Sequence, residues 1–113
     1  MGSSEHSAGE HYTMAGLAEI VKQEIAWYAS SGSNLKSYLL TDETAQIYGV
    51  TVIDYPVRRH PAGVAVLARV SGDHVIIEED RTDKPLVDRL VAAGIPREKI
   101  ILAYANEPLP DLA

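Results

Sequence analysis

The sequence predicts an α+β domain, a mainly antiparallel sheet with helices packed on it in the order α-β-β-β-β-α-β. Three observations lead there. Apolar residues recur at helical spacing after residue 13, four short β-rich segments joined by tight turns fill residues 35–79, and a second helical stripe near Pro85 precedes one last apolar run. Consecutive strands joined by short turns must run antiparallel, which separates this class from a sheet built on parallel crossovers.

The first helix is predicted to start after Thr13, a good N-cap residue, and to run to about Ala29. Leu17, Val21, Ile25 and Tyr28 share one stripe, with Ile20 and Trp27 beside it and Glu19, Lys22 and Gln23 away from it. Trp27 and Tyr28 are neighbours and cannot both be central in one stripe, so one of them is assigned to the core edge. Ser30-Ser31-Gly32-Ser33 ends the helix, with Gly32 free to turn left-handed. Leu35 to Leu40 reads as the first strand, closed by Thr41-Asp42-Glu43, and Gln46 to Tyr55, rich in β-branched residues, as the second. Pro56 and Pro61 interrupt the pattern. Val64 to Val70 and His74 to Glu79 are the third and fourth strands, with Gly72-Asp73 at the tip of a tight hairpin. Thr82 or Asp83 is predicted to cap the second helix, with Pro85 in its first turn and a stripe of Leu86, Val87, Leu90 and Val91. Gly94 stops it, and Ile100, Ile101 and Leu102 form the last strand. Val87, Leu90 and Val91 are expected to pack on Val64, Val66, Ile76 and Ile100.

At 113 residues the chain is long enough for one core and one modest site. Hydrophobic residues at 46% and charged residues at 23% are ordinary for a globular domain and exclude wholesale disorder. Residues 1–13 lack an apolar run and any Lys or Arg, which excludes a secretory signal and marks a disordered tail. No segment is long and apolar enough to span a bilayer, so a cytoplasmic protein with no membrane partner is expected. Cysteine is absent, which removes disulfides, thiolate metal sites and a cysteine nucleophile.

Ten basic against sixteen acidic side chains give a net charge of −6. Such a chain repels a phosphate backbone unless its cations gather on one face, and its only adjacent basic pair is Arg58-Arg59. Strong autonomous DNA binding is therefore not expected, whereas docking on a basic protein fits the charge.

No phosphate loop and no Gly-x-Ser-x-Gly elbow occurs. Glu78-Glu79-Asp80, with Asp83 nearby, is the densest acidic run. Strand alternation sends Glu78 and Glu79 to opposite faces, which spoils convergence on a cation and favours a solvated face. His6 and His11 lie in the tail and His60 and His74 on separate turns, without metal-ligand spacing. No catalytic residue, metal ligand or cofactor is assigned. The segment Tyr55-Pro-Val-Arg58-Arg59-His60-Pro61 pairs two cations with an aromatic ring and a titratable side chain, the residue types favoured as interface anchors. Tyr55, Arg58, Arg59, His60, Glu78 and Asp80 are the candidate partner-binding residues. A solvated, proline-pinned loop is the plainer reading of the same segment.

From Met14 to about Ala105 the chain resembles the XisI family of element-excision controlling factors. The best match is Val75-Ile-Ile-Glu-Glu-Asp80-Arg-Thr-Asp83 leading into Leu90-Val-Ala-Ala-Gly94-Ile-Pro96-Arg-Glu-Lys-Ile100-Ile-Leu-Ala-Tyr104. Tyr48, Tyr55, Arg58-Arg59 and Gly63 fall where the family has a tyrosine, a tryptophan, a basic pair and a glycine. Arg81 stands where the family's turn has a glycine, and Ile76 where its fourth strand has an aromatic. Beyond the tail over 1–13, the resemblance implies one XisI-like domain over 14–113. It implies a noncatalytic accessory factor in programmed DNA excision, working beside a site-specific recombinase and binding an XisH-like, nuclease-related companion that it supports or restrains. A homodimer is compatible with this. A small ligand-binding domain or enzyme with a pocket between sheet and helices, and a DNA-contacting subunit acting through Arg58 and Arg59, are the other readings.

Overall fold

The computed structural model describes residues 14–109, so the expected Thr13 cap and the tail 1–13 lie outside the described residues. Helix α1 (Met14–Ala26), strands β1 (Leu35–Asp42), β2 (Ile47–Asp54), β3 (Gly63–Ser71) and β4 (His74–Asp80), helix α2 (Leu86–Ala92) and strand β5 (Ile100–Leu102) follow in the expected order α-β-β-β-β-α-β. The sheet is ordered β1-β2-β3-β4-β5. The first four strands form an antiparallel meander, and β5 joins β4 in parallel because the intervening chain crosses over through α2.

Both helices lie on one face. Leu17, Val21 and Ile25 of α1 and Leu86 and Leu90 of α2 are fully buried against Tyr48 and Val50 of β2, Val66 and Ala68 of β3, and Val75 and Ile77 of β4. Ile95 and Ile100 close this core at its far side. The space between sheet and helices is thus filled by aliphatic side chains and the Tyr48 ring. Arg89 ties the two helices at the surface: its Nη2 is 2.8 Å from Glu24 Oε1 and its guanidinium lies 3.9 Å from the Trp27 ring centre. Lys22 on α1 reaches Glu43 in the β1–β2 turn at 2.5 Å, and Glu43 accepts the Tyr48 hydroxyl at 3.1 Å, so a short polar chain clips that hairpin to the helix.

Two bulges shape the middle of the sheet. Val50 faces Val66 but Thr51 faces Val64, which leaves Ala65 as an extra residue in β3. Leu67 faces Glu79 but Ala68 faces Ile77, which leaves Glu78 as an extra residue in β4. Gly49 sits beside the first bulge, where a Cβ would meet the Val66 carbonyl at 2.9 Å and Leu67 Cδ1 at 2.8 Å, so no larger residue fits unmoved. Gly72 adopts φ +61° at the first central position of the β3–β4 turn, as its sequence predicts.

Several local expectations are corrected. Helix α1 ends at Ala26 rather than Ala29, and tighter bonds from Tyr28 N–H to Ile25 C=O and from Ala29 N–H to Ala26 C=O unwind its end. This turns the Tyr28 hydroxyl toward the Lys84 carbonyl, to which it donates, while Trp27 stays half exposed under Arg89. Gly32 is not among the left-handed glycines; its N–H donates to the Leu35 carbonyl at 2.9 Å. Neither Thr82 nor Asp83 caps α2. Pro85 is the N-cap residue, and the Asp80 carboxylate accepts the Leu86 N–H at 2.7 Å from six residues back. Val91 is 43% exposed, because a helix of seven residues turns only Leu86 and Leu90 fully inward. Ile76 is buried, but on the helix-free face with its parallel neighbour Ile101, and the bulge carries Val64 to that face as well.

Two outcomes follow from this packing. Leu90 is fully buried between α2 and the sheet, so Leu90→Ala should lower unfolding stability by about 2–5 kcal/mol in denaturant melts. Burial first, and then the Asp80 charge, push the Tyr28 phenol up to about 12. A raised pKa makes the contribution of that phenol complete below its ordinary value of ~10 and lost as pH climbs through the folded value. Tyr28→Phe should therefore flatten the stability–pH curve between about pH 10 and 12, while costing about 1 kcal/mol at neutral pH for the lost hydrogen bond.

Candidate functional site

The antiparallel meander brings the C-terminal ends of β2 and β4 and the N-terminal ends of β1 and β3 to one end of the sheet. The Tyr55–Pro61 loop and the β4 exit, far apart in sequence, therefore share that end, and His60, Gly63, Glu79 and Arg81 line one surface hollow between them. Thr51 Oγ1 donates to the Gly63 carbonyl at 2.8 Å, and the Arg81 N–H donates to the Ala65 carbonyl at 2.8 Å, so both sides of the hollow are fastened to the bulged part of β3.

Asp54, the last residue of β2, organises the loop. Its Oδ2 accepts the N–H of Arg59 at 3.0 Å and of His60 at 2.8 Å and lies 2.9 Å from His60 Nδ1. The His60 ring first, and the two N–H donors with it, hold the Asp54 carboxyl below its ordinary value. The loop thereby closes on its own first residue. The Tyr55–Pro56 peptide is cis, and the Tyr55 N–H donates to the Asn34 carbonyl at 3.0 Å. The ring of Tyr55 is half exposed and carries the Lys36 ammonium 4.5 Å above its centre. A cleft of about 290 Å³ opens between Asn34, Asp54, Pro56, Val57 and His60.

The carboxylates at this end are bonded within the chain. Glu78, thrown out by the bulge, lies 2.6 Å from Arg69 Nε, and Glu79 lies 2.6 Å from Arg81 Nε. Asp80 accepts the Thr82 N–H at 2.9 Å and the Thr82 hydroxyl at 2.6 Å on Oδ1, and the Leu86 N–H on Oδ2. Arg58 and Arg59 are exposed, and neither pairs with a carboxylate among the described residues. In a chain of net charge −6, this end presents cations and an aromatic ring.

Of the predicted site residues, Tyr55, Arg58, Arg59 and His60 thus form one ordered loop. Glu78 sits on the helix-free face beside Arg69, and Asp80 turns toward α2. Sequence reasoning missed Asp54, Lys36 and Arg81. Asp54 was findable by asking which acceptor serves the N–H groups of a proline-rich loop, since an Asp immediately before such a loop is the usual supplier. Lys36 carried no signal, because its contact with Tyr55 depends on the β1–β2 register. Among the described residues no group of three or more His, Asp or Glu side chains is placed to hold a metal ion. The loop offers two guanidinium forks, an aromatic face and an imidazole tied to a carboxylate, which suits directional binding of a complementary surface.

The structure is similar to a XisI-like protein from Anabaena variabilis ATCC 29413, with a TM-score of 0.71 at 20% identity over 80% of this chain and 85% of that one. It is also similar to the fdxN element excision controlling factor XisI from Anabaena variabilis ATCC 29413, with a TM-score of 0.65 at 20% identity over 81% of this chain and 93% of that one. At that identity the likeness establishes the shared fold. No curated protein matches the chain. The sequence model of the XisI protein family matches residues 10–110, nearly the whole chain, and the chain therefore belongs to the XisI family.

Proposed function

We propose that this protein is a noncatalytic accessory factor of programmed DNA element excision that docks on an XisH-like, nuclease-related companion through the Tyr55–His60 loop. Family membership supports this process, since a structural relative is itself an fdxN element excision controlling factor. The observation that carries the docking surface is the loop itself. Arg58 and Arg59 project from a loop already held to Asp54 by two backbone bonds and the His60 ring, so little loop ordering remains to be done on association. Tyr55 and the exposed Val57 add apolar area beside the guanidinium groups. Binding such a companion can support or restrain it without any chemistry of its own.

The test is a binding titration against an XisH-like protein from the same genome. Arg58→Ala with Arg59→Ala should weaken the complex by more than ~1 kcal/mol while thermal stability stays within about 0.5 kcal/mol. Asp54→Ala leaves both arginines in place but removes their frame, and it should weaken the complex as well. Wild-type protein that forms no complex at micromolar concentrations, or a double variant that binds as wild type does, would sink the reading.

A further inference from the structure

Strand β1 is one edge of the sheet, and neither a proline nor a bulge blunts it. The strand runs for eight residues, Leu35 to Asp42. Its register fixes which backbone groups face outward. The Tyr55 N–H donates to the Asn34 carbonyl, so even-numbered residues of β1 bond to β2 and odd-numbered ones turn their N–H and C=O groups away. The segment before β1 occupies part of that outer edge: the Leu35 carbonyl accepts from Gly32, and the Ser37 N–H donates to Ser31 Oγ at 3.1 Å. Among the described residues nothing meets the Ser37 carbonyl, either backbone group of Leu39, or those of Thr41.

We infer that this edge pairs with β1 of a second copy of the same chain, antiparallel about a two-fold axis at Leu39. The free groups fit that register. Leu39 exchanges both backbone bonds with the partner's Leu39, and the Thr41 N–H on each side donates to the Ser37 carbonyl on the other, so the Ser31 contact need not break. The side chains are self-complementary in the same register. On the helix-free face Lys36 comes opposite the partner's Asp42, and Tyr38 opposite the partner's Leu40. Tyr38 and Leu40 are 48% and 51% exposed in the single chain. Asp42 uses Oδ1 to accept the Thr44 and Ala45 N–H groups, which leaves Oδ2 for the lysine. This apolar strip continues into Ile47, Gly49 and Leu67 on the same face. A one-residue slip would set side chains of opposite faces against each other, and the offset that centres on Tyr38 would lose the charge pair. The pairing fuses two sheets into one and is argued from the backbone and side chains of β1 alone, so it does not rest on the docking proposal.

The absence of cysteine makes the test clean. Light scattering of the wild-type chain at tens of micromolar should give twice the monomer mass. Leu39→Pro removes the N–H on the axis at a position where the β1–β2 ladder does not use it, and Leu40→Lys sets a charge into the apolar strip. Both should halve the mass while keeping the far-ultraviolet circular dichroism of the fold. Leu39→Cys should form a disulfide-linked dimer under mild oxidation, and Leu40→Cys should do so far less, because only Leu39 meets its own copy across the axis. A wild-type monomer overturns the inference, as does a dimer that Leu40→Lys and Leu39→Pro leave intact or that cross-links better through Leu40→Cys.

Discussion

The Asp80 carboxylate is the joint on which the arrangement of this domain depends. It stands at the last position of β4, and its two oxygens serve different elements: Oδ1 holds Thr82, which fixes the turn, and Oδ2 takes the Leu86 N–H, which starts α2. A helix of seven residues has too few internal bonds to be stable alone. Its place comes from that acceptor at one end and from the burial of Leu86 and Leu90 along its length. Once α2 is seated, Arg89 reaches Glu24 and Trp27, and α1 is aligned beside it. The parallel entry of β5 follows, because Gly94 at φ +106° and the turn at Arg97–Lys99 return the chain to the free side of β4.

Asp54 repeats the device at the end of β2 with the opposite outcome. Both aspartates close a strand at the same end of the sheet and both gather N–H donors from the chain that follows. Asp80 turns its segment inward over the core. Asp54 holds its segment out in solvent, where the chain shows Tyr55, Val57, Arg58 and Arg59. The same end of the sheet thus owes its stability to one carboxylate and its exposed chemistry to the other.

The order of elements was legible because each is announced locally: helical spacing from Leu17 to Ile25, alternation in β3, and Gly72 and Gly94 at the turns that need them. What failed was non-local. Asp80 lies six residues before the N–H it satisfies, outside the window in which a cap is sought, and Thr82, which looks like a cap, binds the capping aspartate instead. Val64 and Ile76 were placed on the helix side because alternation was carried through β3 without its bulge and because every apolar residue was assumed to serve one core. The loop Tyr55–His60 could be recognised from its prolines and charges. That it is braced from Asp54 and sits beside the β4 exit depends on strand pairing, which no local pattern encodes.

A sheet covered by helices on one side only must still manage its other side. Here the centre of that side covers itself: Ile76 and Ile101 lie side by side across the parallel pair, and Leu67 leans over the space that a side chain at Gly49 would fill. Arg69 and Glu78 bridge the remaining middle with a charged pair. Toward β1 this self-covering stops, and Tyr38 and Leu40 are left open beside an edge whose backbone is open too. At the opposite edge β5 is only three residues long and leads straight into a single-turn helix at Ala103–Ala105, so it presents little ladder to a neighbour. The two sheet edges are therefore not equivalent. The physical demands of covering a five-stranded sheet with two short helices leave unfilled contacts at β1 and at the Asp54 loop, which adjoin where Lys36 and Tyr38 line one hollow with Tyr55 and Arg58.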